Sequence, residues 1–122
     1  MTGPDPSDPN CEIWEVLSVF KGRWKGEIIA QLHDRTRRYS ELRKLIPKAS
    51  ARVMTASLRD LERDGVVLRK RLEGTPARVD YSLSAYGEQL VPLLDAIRQW
   101  GKQHFNCVQH CRKQYDREHA KS

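Results

Sequence analysis

Apolar residues recur three or four positions apart in four segments, which is the period of helices that pack one face on a core. They predict a helix ending before Gly22, a second helix, a short third helix that Ser40 caps and Pro47 ends, and a fourth helix between Ser50 and Gly65. The apolar positions are, in order, Ile13, Leu17 and Phe20; Trp24, Ile28 and Leu32; Leu42, Leu45 and Ile46; and Met54, Leu58 and Leu61.

The period changes to two after Gly65. Val79, Tyr81 and Leu83 alternate with polar residues, and another β-rich run covers residues 66–72. The intervening EGTPA has the Gly and Pro of a hairpin tip. The sequence therefore predicts a mainly α fold with a small β-hairpin, in which the third and fourth helices form a helix-turn-helix and the hairpin is its wing.

A long terminal helix is predicted after Ser84, with Pro92 interrupting its hydrogen-bond ladder. Its heptad-like seam indicates packing along another helix. The seam either covers the domain's own core or contacts a second copy of the chain. The length of the helix favours a dimer contact. The seam comprises Tyr86, Leu90, Leu93, Ile97 and Trp100, and the same rhythm reaches His104, Cys107 and Cys111.

Charge narrows the choice of partner. The 122 residues include 22 Lys and Arg against 16 Asp and Glu. Residues 35–71 alone hold twelve basic and four acidic side chains, so the positive charge is concentrated there. This distribution points to nucleic acid or another anionic surface. With no signal peptide, no apolar run near the ~18 residues of a membrane span, and an odd count of three cysteines, we expect a cytoplasmic chain with reduced thiols and no membrane partner.

The fourth helix carries Arg52, Arg59 and Arg63 on the face turned away from its apolar stripe, with small side chains such as Ala51 and Thr55 between them. Such a face either is solvated surface or approaches the major groove of DNA closely. The hairpin cations either reach phosphates and the minor groove or protect a sheet edge from pairing. These cations are Arg69, Lys70, Arg71 and Arg78.

Cysteine chemistry leaves several alternatives open. Cys11 lies in the first turn of the first predicted helix, where the dipole favours a thiolate and Glu12 opposes it. It is a reactive thiol, a small buried thiol with no further role, or a residue with a metal-binding or other role. His104, Cys107 and Cys111 share one helix face, which is compatible with a redox role, zinc binding or interface packing. Because the spacing fits structural zinc signatures poorly, no metal site is assigned.

Several motifs together resemble the HxlR-type winged helix-turn-helix transcriptional regulators, which are related to MarR regulators. They are VFKGRW (19–24), YSELRKLIP (39–47), SARVMTASLRDLERDGVV (50–67) and ARVDYSL (77–83), followed by SAYG (84–87) and the late Trp100-Gly101. The resemblance extends from Cys11 to His104. Two positions depart from the family pattern: Lys48 replaces the usual Gly of the turn, and Glu12 replaces the usual Pro after the early cysteine.

The resemblance implies a homodimer joined by its first and last helices on a pseudo-palindromic operator, acting as a repressor. It also implies that Cys11 responds to oxidants or electrophiles, and that a disulfide to Cys107 or Cys111 of the partner is an option. The predicted dimer interface is Ile13, Leu17, Leu90, Leu93, Ile97, Trp100 and His104. The predicted DNA-binding set is Ser40, Arg43, Lys48, Ser50, Ala51, Arg52, Thr55, Arg59, Arg69, Arg71 and Arg78.

Enzymatic function is not expected, since the sequence has no glycine-rich nucleotide loop and no carboxylate placed for a hydrolytic triad. No cofactor is predicted. A rival interpretation is a thiol- or metal-based sensor that acts by protein contact without a specific DNA site. RNA binding is a third, although the exposed aromatics that stack on bases are lacking. The predicted parts are a flexible lead-in (1–10), a DNA-binding and dimerisation domain (11–111) and a frayed tail (112–122).

Overall fold

The computed structural model describes residues 12–120. In this part of the chain a mainly helical fold carries a small antiparallel sheet, as the sequence predicts. No helix within it is long and apolar enough to cross a membrane. The elements are α1 (Ile13–Phe20), α2 (Lys25–Leu32), β1 (Arg37–Arg38), α3 (Tyr39–Leu45), α4 (Ala51–Arg63), β2 (Val67–Leu72), β3 (Arg78–Leu83) and α5 (Ala85–His119).

The chain divides into two compact units, of which the first ends at Glu88. Its core forms where α2, α3, α4 and the start of β2 meet. Burying each large aliphatic side chain there contributes roughly 1.5–3 kcal/mol. The apolar periods of α2 and α4 are thus satisfied on one side of each helix. In α3 Leu42 and Ile46 are buried but Leu45, which the pattern also predicts to point inward, is exposed, and none of the described residues of α1 is buried. The fully buried large side chains are Ile28, Ile29, Leu32, Leu42, Ile46, Met54, Leu61, Val66 and Val67.

The predicted helix-turn-helix consists of α3 and α4. The Ser50 side chain caps α4, because its hydroxyl accepts a hydrogen bond from the Val53 amide at 3.2 Å. At the other end Gly65 adopts φ +75°, the left-handed conformation that ends many helices. Both predicted limits of α4 are confirmed.

The predicted cap of α3 is wrong. Ser40 lies inside the first turn, and Arg38 is the residue before the helix. The Glu41 carboxylate accepts a hydrogen bond from the Arg38 amide at 3.0 Å, so an acidic side chain satisfies the free amide at this end.

The sheet has three strands rather than the two of a hairpin, in the order β1-β3-β2. In the hairpin, β2 pairs with β3 from Val67 opposite Leu83 to Leu72 opposite Arg78. On the other edge of β3, Arg37 of the two-residue strand β1 pairs with Tyr81. The strand β1 leads directly into α3, so the sheet connects the wing to the helix-turn-helix.

Helix α5 continues through Pro92 to His119, so that residues 112–119, for which fraying is predicted, are helical here. In the second unit, which begins at Gln89, Val91 and Leu94 are the buried apolar positions. Most of the predicted seam is exposed instead. The exposed large side chains are Leu93, Ile97, Trp100, Phe105 and Tyr115.

Candidate nucleic-acid interface

The outer face of α4 is the centre of the candidate site. Met54, Leu58 and Leu61 anchor the helix in the core, which directs Arg52 and Arg59 outward. The N-terminal positions of the helix, Ser50 and Ala51, are also exposed. Because these two residues and Ala56 are short, the backbone of α4 is open to close approach by a grooved anionic surface.

Tyr39 fixes the start of α4 on α3. Its hydroxyl donates a hydrogen bond to the Ala51 carbonyl at 3.2 Å and lies 3.4 Å from the Thr55 hydroxyl. The hydrogen bond from Thr55 lowers the pKa of Tyr39, and Arg43 acts in the same direction. Thr55 is half-buried and its hydroxyl contacts that of Tyr39. Its role as a contact to DNA stays a prediction.

A cavity of about 270 Å³ separates α4 from the sheet on the wing side. Burial in this region raises the pKa of Tyr81. Arg69 on β2 lies 3.7 Å from the Glu62 carboxylate of α4, so an ion pair spans the two elements. Sequence reasoning missed Tyr81, which reaches α4 only through the pairing of β3 in the sheet. It also missed Tyr39 on α3 and Glu62 on α4 itself. The cavity is lined by Tyr39, Thr55, Leu58, Arg59, Glu62, Arg69 and Tyr81.

The wing cations lie on exposed strand positions. Arg71 is opposite Val79 in the ladder, and Arg78, at the start of β3, pairs with Asp80 at 3.5 Å. Ser40 and Arg78 line one open depression with β1. Arg43 is half-buried, and its Nε finds no hydrogen-bond partner among the described residues. Lys48 is exposed in the turn before α4.

The residues predicted for sensing and dimerisation lie apart from α4 in sequence. Cys11 lies outside the described residues. Cys107 and Cys111 are free and exposed, one helical turn apart.

Ile13 is 77% exposed and Trp100 is 56% exposed, which is high for apolar side chains of this size. Leu17 and His104 are exposed as well, and Leu90 is half-buried.

One group of potential metal ligands appears in the described part of the chain. Atoms of His33, Asp34 and Glu88 lie within 4.8 Å of one another. The Glu88 carboxylate already accepts a hydrogen bond from the Asp34 amide at 2.9 Å and lies 2.7 Å from His33 Nδ1. This group therefore serves as a polar link between the end of α2 and the first turn of α5.

Comparison with known proteins gives consistent results. Residues 19–109 match the HxlR-like helix-turn-helix family. The uncharacterised HTH-type transcriptional regulator YdeP of Bacillus subtilis is 38% identical over 94 residues, which are 77% of this chain and 73% of that protein.

Solved structures share both sequence and fold. The redox regulator HypR in its reduced form is 32% identical and superimposes with a TM-score of 0.73, covering 80% of this chain and 97% of HypR. The reduced transcriptional regulator YodB of Bacillus subtilis is 30% identical with a TM-score of 0.70, covering 75% of this chain and 90% of YodB.

Proposed function

The chain belongs to the HxlR-like helix-turn-helix family of transcriptional regulators, and from that premise we propose that it is a homodimeric repressor of a pseudo-palindromic operator in double-stranded DNA. Residues 11–111 form the functional domain in this proposal. Helix α4 enters the major groove, and the wing contacts the flanking backbone.

One observation carries the proposal. Helix α4 directs Arg52 and Arg59 away from the core, and the residues at its start are short. A guanidinium is suited to bidentate bonds with guanine, and the short neighbours allow the backbone to come close to the base edges. Arg43, Lys48 and the wing arginines supply phosphate contacts, which position the protein but do not read sequence.

Substitution of Arg52 tests base reading. If Arg52 contacts a base, Arg52→Ala weakens binding to the specific operator by about 1–3 kcal/mol for each half-site and relaxes specificity at one position in each half-site. Fluorescence anisotropy on duplex DNA from upstream of its own gene, with random duplex as competitor, measures this. Arg63→Ala is the matched control, since Arg63 lies near the far end of the same helix and is exposed.

An equal small loss on every sequence would reassign Arg52 to phosphate. Wild-type protein that shows no preference for any promoter over random duplex would contradict the proposed function and favour a sensor acting by protein contact.

Exposed apolar side chains support dimerisation. Ile13 and Leu17 are exposed on α1, while Ile97 and Trp100 are exposed on α5. Association that covers such side chains gains roughly 25 cal/mol per Å² of apolar surface removed from water. We assign both helices to the dimer interface.

A thiol switch is the proposed mode of regulation. Related structures include a protein described as a redox regulator, and Cys107 and Cys111 are exposed and free. In the switch, Cys11 of one chain and Cys107 or Cys111 of its partner together lose two electrons and two protons to hydrogen peroxide, which is reduced to two molecules of water as the disulfide forms.

The same anisotropy assay tests the switch. Specific binding that falls after peroxide treatment, returns with dithiothreitol and becomes insensitive in Cys11→Ser is expected. Binding that is indifferent to peroxide would remove the redox role and leave the cysteines as packing residues.

A further inference from the structure

Helix α4 has a different neighbour on each side of its outer face: the wing on one side and the connection between α1 and α2 on the other. On one side Thr55, Arg59 and Glu62 face the wing across the cavity. On the other side Val53 and Ser57 line a groove of about 460 Å³. The opposite wall of this groove is the connection between α1 and α2.

This connection, residues 21–24, is basic and has a defined conformation. Gly22 adopts φ +99°, which a side chain would strain. The Arg23 guanidinium carbon lies 4.6 Å from the centroid of the Trp24 ring, so a cation-π contact orients the guanidinium. Lys21 and Arg23 are both exposed.

A second groove, of about 300 Å³, joins the connection to the turn of the helix-turn-helix. Arg23 and Trp24 form one side, and Pro47 and Lys48 form the other. Arg23 therefore lies between the turn that precedes α4 and the flank of α4 itself. These basic side chains lie along one flank of the helix, beside Val53 and Ser57, and at the turn that precedes it.

The acidic groups nearby do not neutralise this cluster. Asp60 pairs with Lys25 at 3.3 Å and is thereby engaged. Glu27 lines the second groove. Within residues 12–120 no carboxylate forms an ion pair with Lys21 or Arg23. The two grooves on this flank are therefore lined by more basic side chains, Lys21, Arg23, Lys25 and Lys48, than acidic ones, Glu27 and Asp60.

We propose that Lys21, Arg23 and Lys48 form a second phosphate-binding site for duplex DNA, on the flank of α4 opposite the wing. The proposal rests on the proposed function. The major groove is about 12 Å wide and is bordered by a phosphate strand on each side. A helix within it thus meets two backbones. The wing serves one of them, and the α1–α2 connection has the position and charge to serve the other.

The test measures salt dependence of binding for Lys21→Gln and Arg23→Gln on the upstream duplex and on random duplex. Because the dimer carries two copies of each side chain, each variant should flatten the slope of log K (per dimer) against log[salt] by about 1.8 and weaken binding roughly 30- to 100-fold at 0.1 M salt. The loss should be equal on both duplexes, because a phosphate contact carries no sequence information. Arg23→Lys should keep the wild-type slope.

Arg35→Gln is the matched control, since Arg35 is exposed and lies beyond the opposite end of α2. It should leave the slope unchanged. Thermal unfolding of each variant separates lost contacts from lost folding. This proposal would be overturned if Lys21→Gln and Arg23→Gln kept the wild-type slope. It would also be overturned if Arg35→Gln changed the slope by the same amount. Failure of the wild type to bind duplex DNA would instead contradict the proposed function.

Discussion

Gly87 shows how closely the backbone packs where β3 passes into α5. A Cβ built at Gly87 would lie 2.3 Å from the Val66 carbonyl oxygen, a backbone atom that has little freedom to move. Ser84 holds the same junction: its hydroxyl accepts a hydrogen bond from the Gly87 amide at 3.0 Å and donates one to the Val66 carbonyl at 3.2 Å. Glycine is required here for space.

Replacing this glycine should destabilise the fold. Gly87→Ala forces a backbone shift and should lower the free energy of unfolding by about 1–3 kcal/mol. Urea denaturation measures the change. Gly101→Ala in the same helix is the control, because nothing lies within 4 Å of its Cβ position. It should raise stability by up to about 1 kcal/mol through helix propensity. A loss at Gly101 would indicate that another chain packs there.

Glu88 should make stability depend on pH. The Asp34 amide and His33 both hydrogen-bond its carboxylate and lower its pKa below the usual 4.5. Because the unfolded chain then binds the proton more tightly, this stabilisation is present above pH 4.5 and is lost as pH falls through the lower folded pKa. Urea denaturation at a series of pH values across that range should show the free energy of unfolding falling as the pH falls. Glu88→Gln should lack this part of the pH dependence.

Glu73→Gln, at the exposed hairpin tip, is the comparison for Glu88. It should retain the loss of stability at low pH that Glu88 causes, because it leaves the contacts of Glu88 with His33 and Asp34 in place. Identical profiles for Glu88→Gln and the wild type would contradict the assignment.

At the scale of elements, sequence periodicity and caps predicted α1, α2, α4 and the hairpin. These elements depend on local signals, such as Ser50 and Gly65 at the ends of α4. The two-residue strand β1 was not predicted, because its pairing partner Tyr81 is more than forty residues away in the chain. The cavity beside α4 was missed for the same reason. In the sequence alone nothing distinguishes Tyr39 and Tyr81 from other aromatic residues. Only the paired sheet places both of them in one cavity.

The cap of α4 should contribute measurably to stability. Ser50→Ala removes the acceptor of the Val53 amide and should cost about 1 kcal/mol. Thermal or urea unfolding tests this. Ser50→Asp preserves an acceptor and should restore most of the loss. If both variants unfold alike, the hydrogen bond is not the source of the effect.

At the scale of the whole molecule, we propose that the predicted seam of α5 forms the dimer interface. Ile97→Glu places a carboxylate in the proposed interface, where burial of an unpaired charge costs several kcal/mol. Analytical ultracentrifugation at micromolar concentration should show a shift from dimer to monomer. Gln99→Glu adds the same charge on another side of the helix and should remain dimeric.

A monomeric wild type would contradict the assembly itself. If Ile97→Glu remained dimeric, the dimer interface would have to lie on another face of the protein. In the proposed dimer the two copies of α4 lie about 34 Å apart, one turn of DNA. Inserting five base pairs between the half-sites should therefore abolish high-affinity binding.

The strand β1 has a consequence for how DNA is selected. Since β3 pairs with both β1 and β2, and β1 leads directly into α3, the wing is joined to the helix-turn-helix by backbone hydrogen bonds. The sheet, not the ligand, then sets the distance between wing and α4. A duplex that contacts both the wing and α4 has to adjust its groove width to match that distance. Base pairs that no side chain touches would thus contribute to affinity through their deformability.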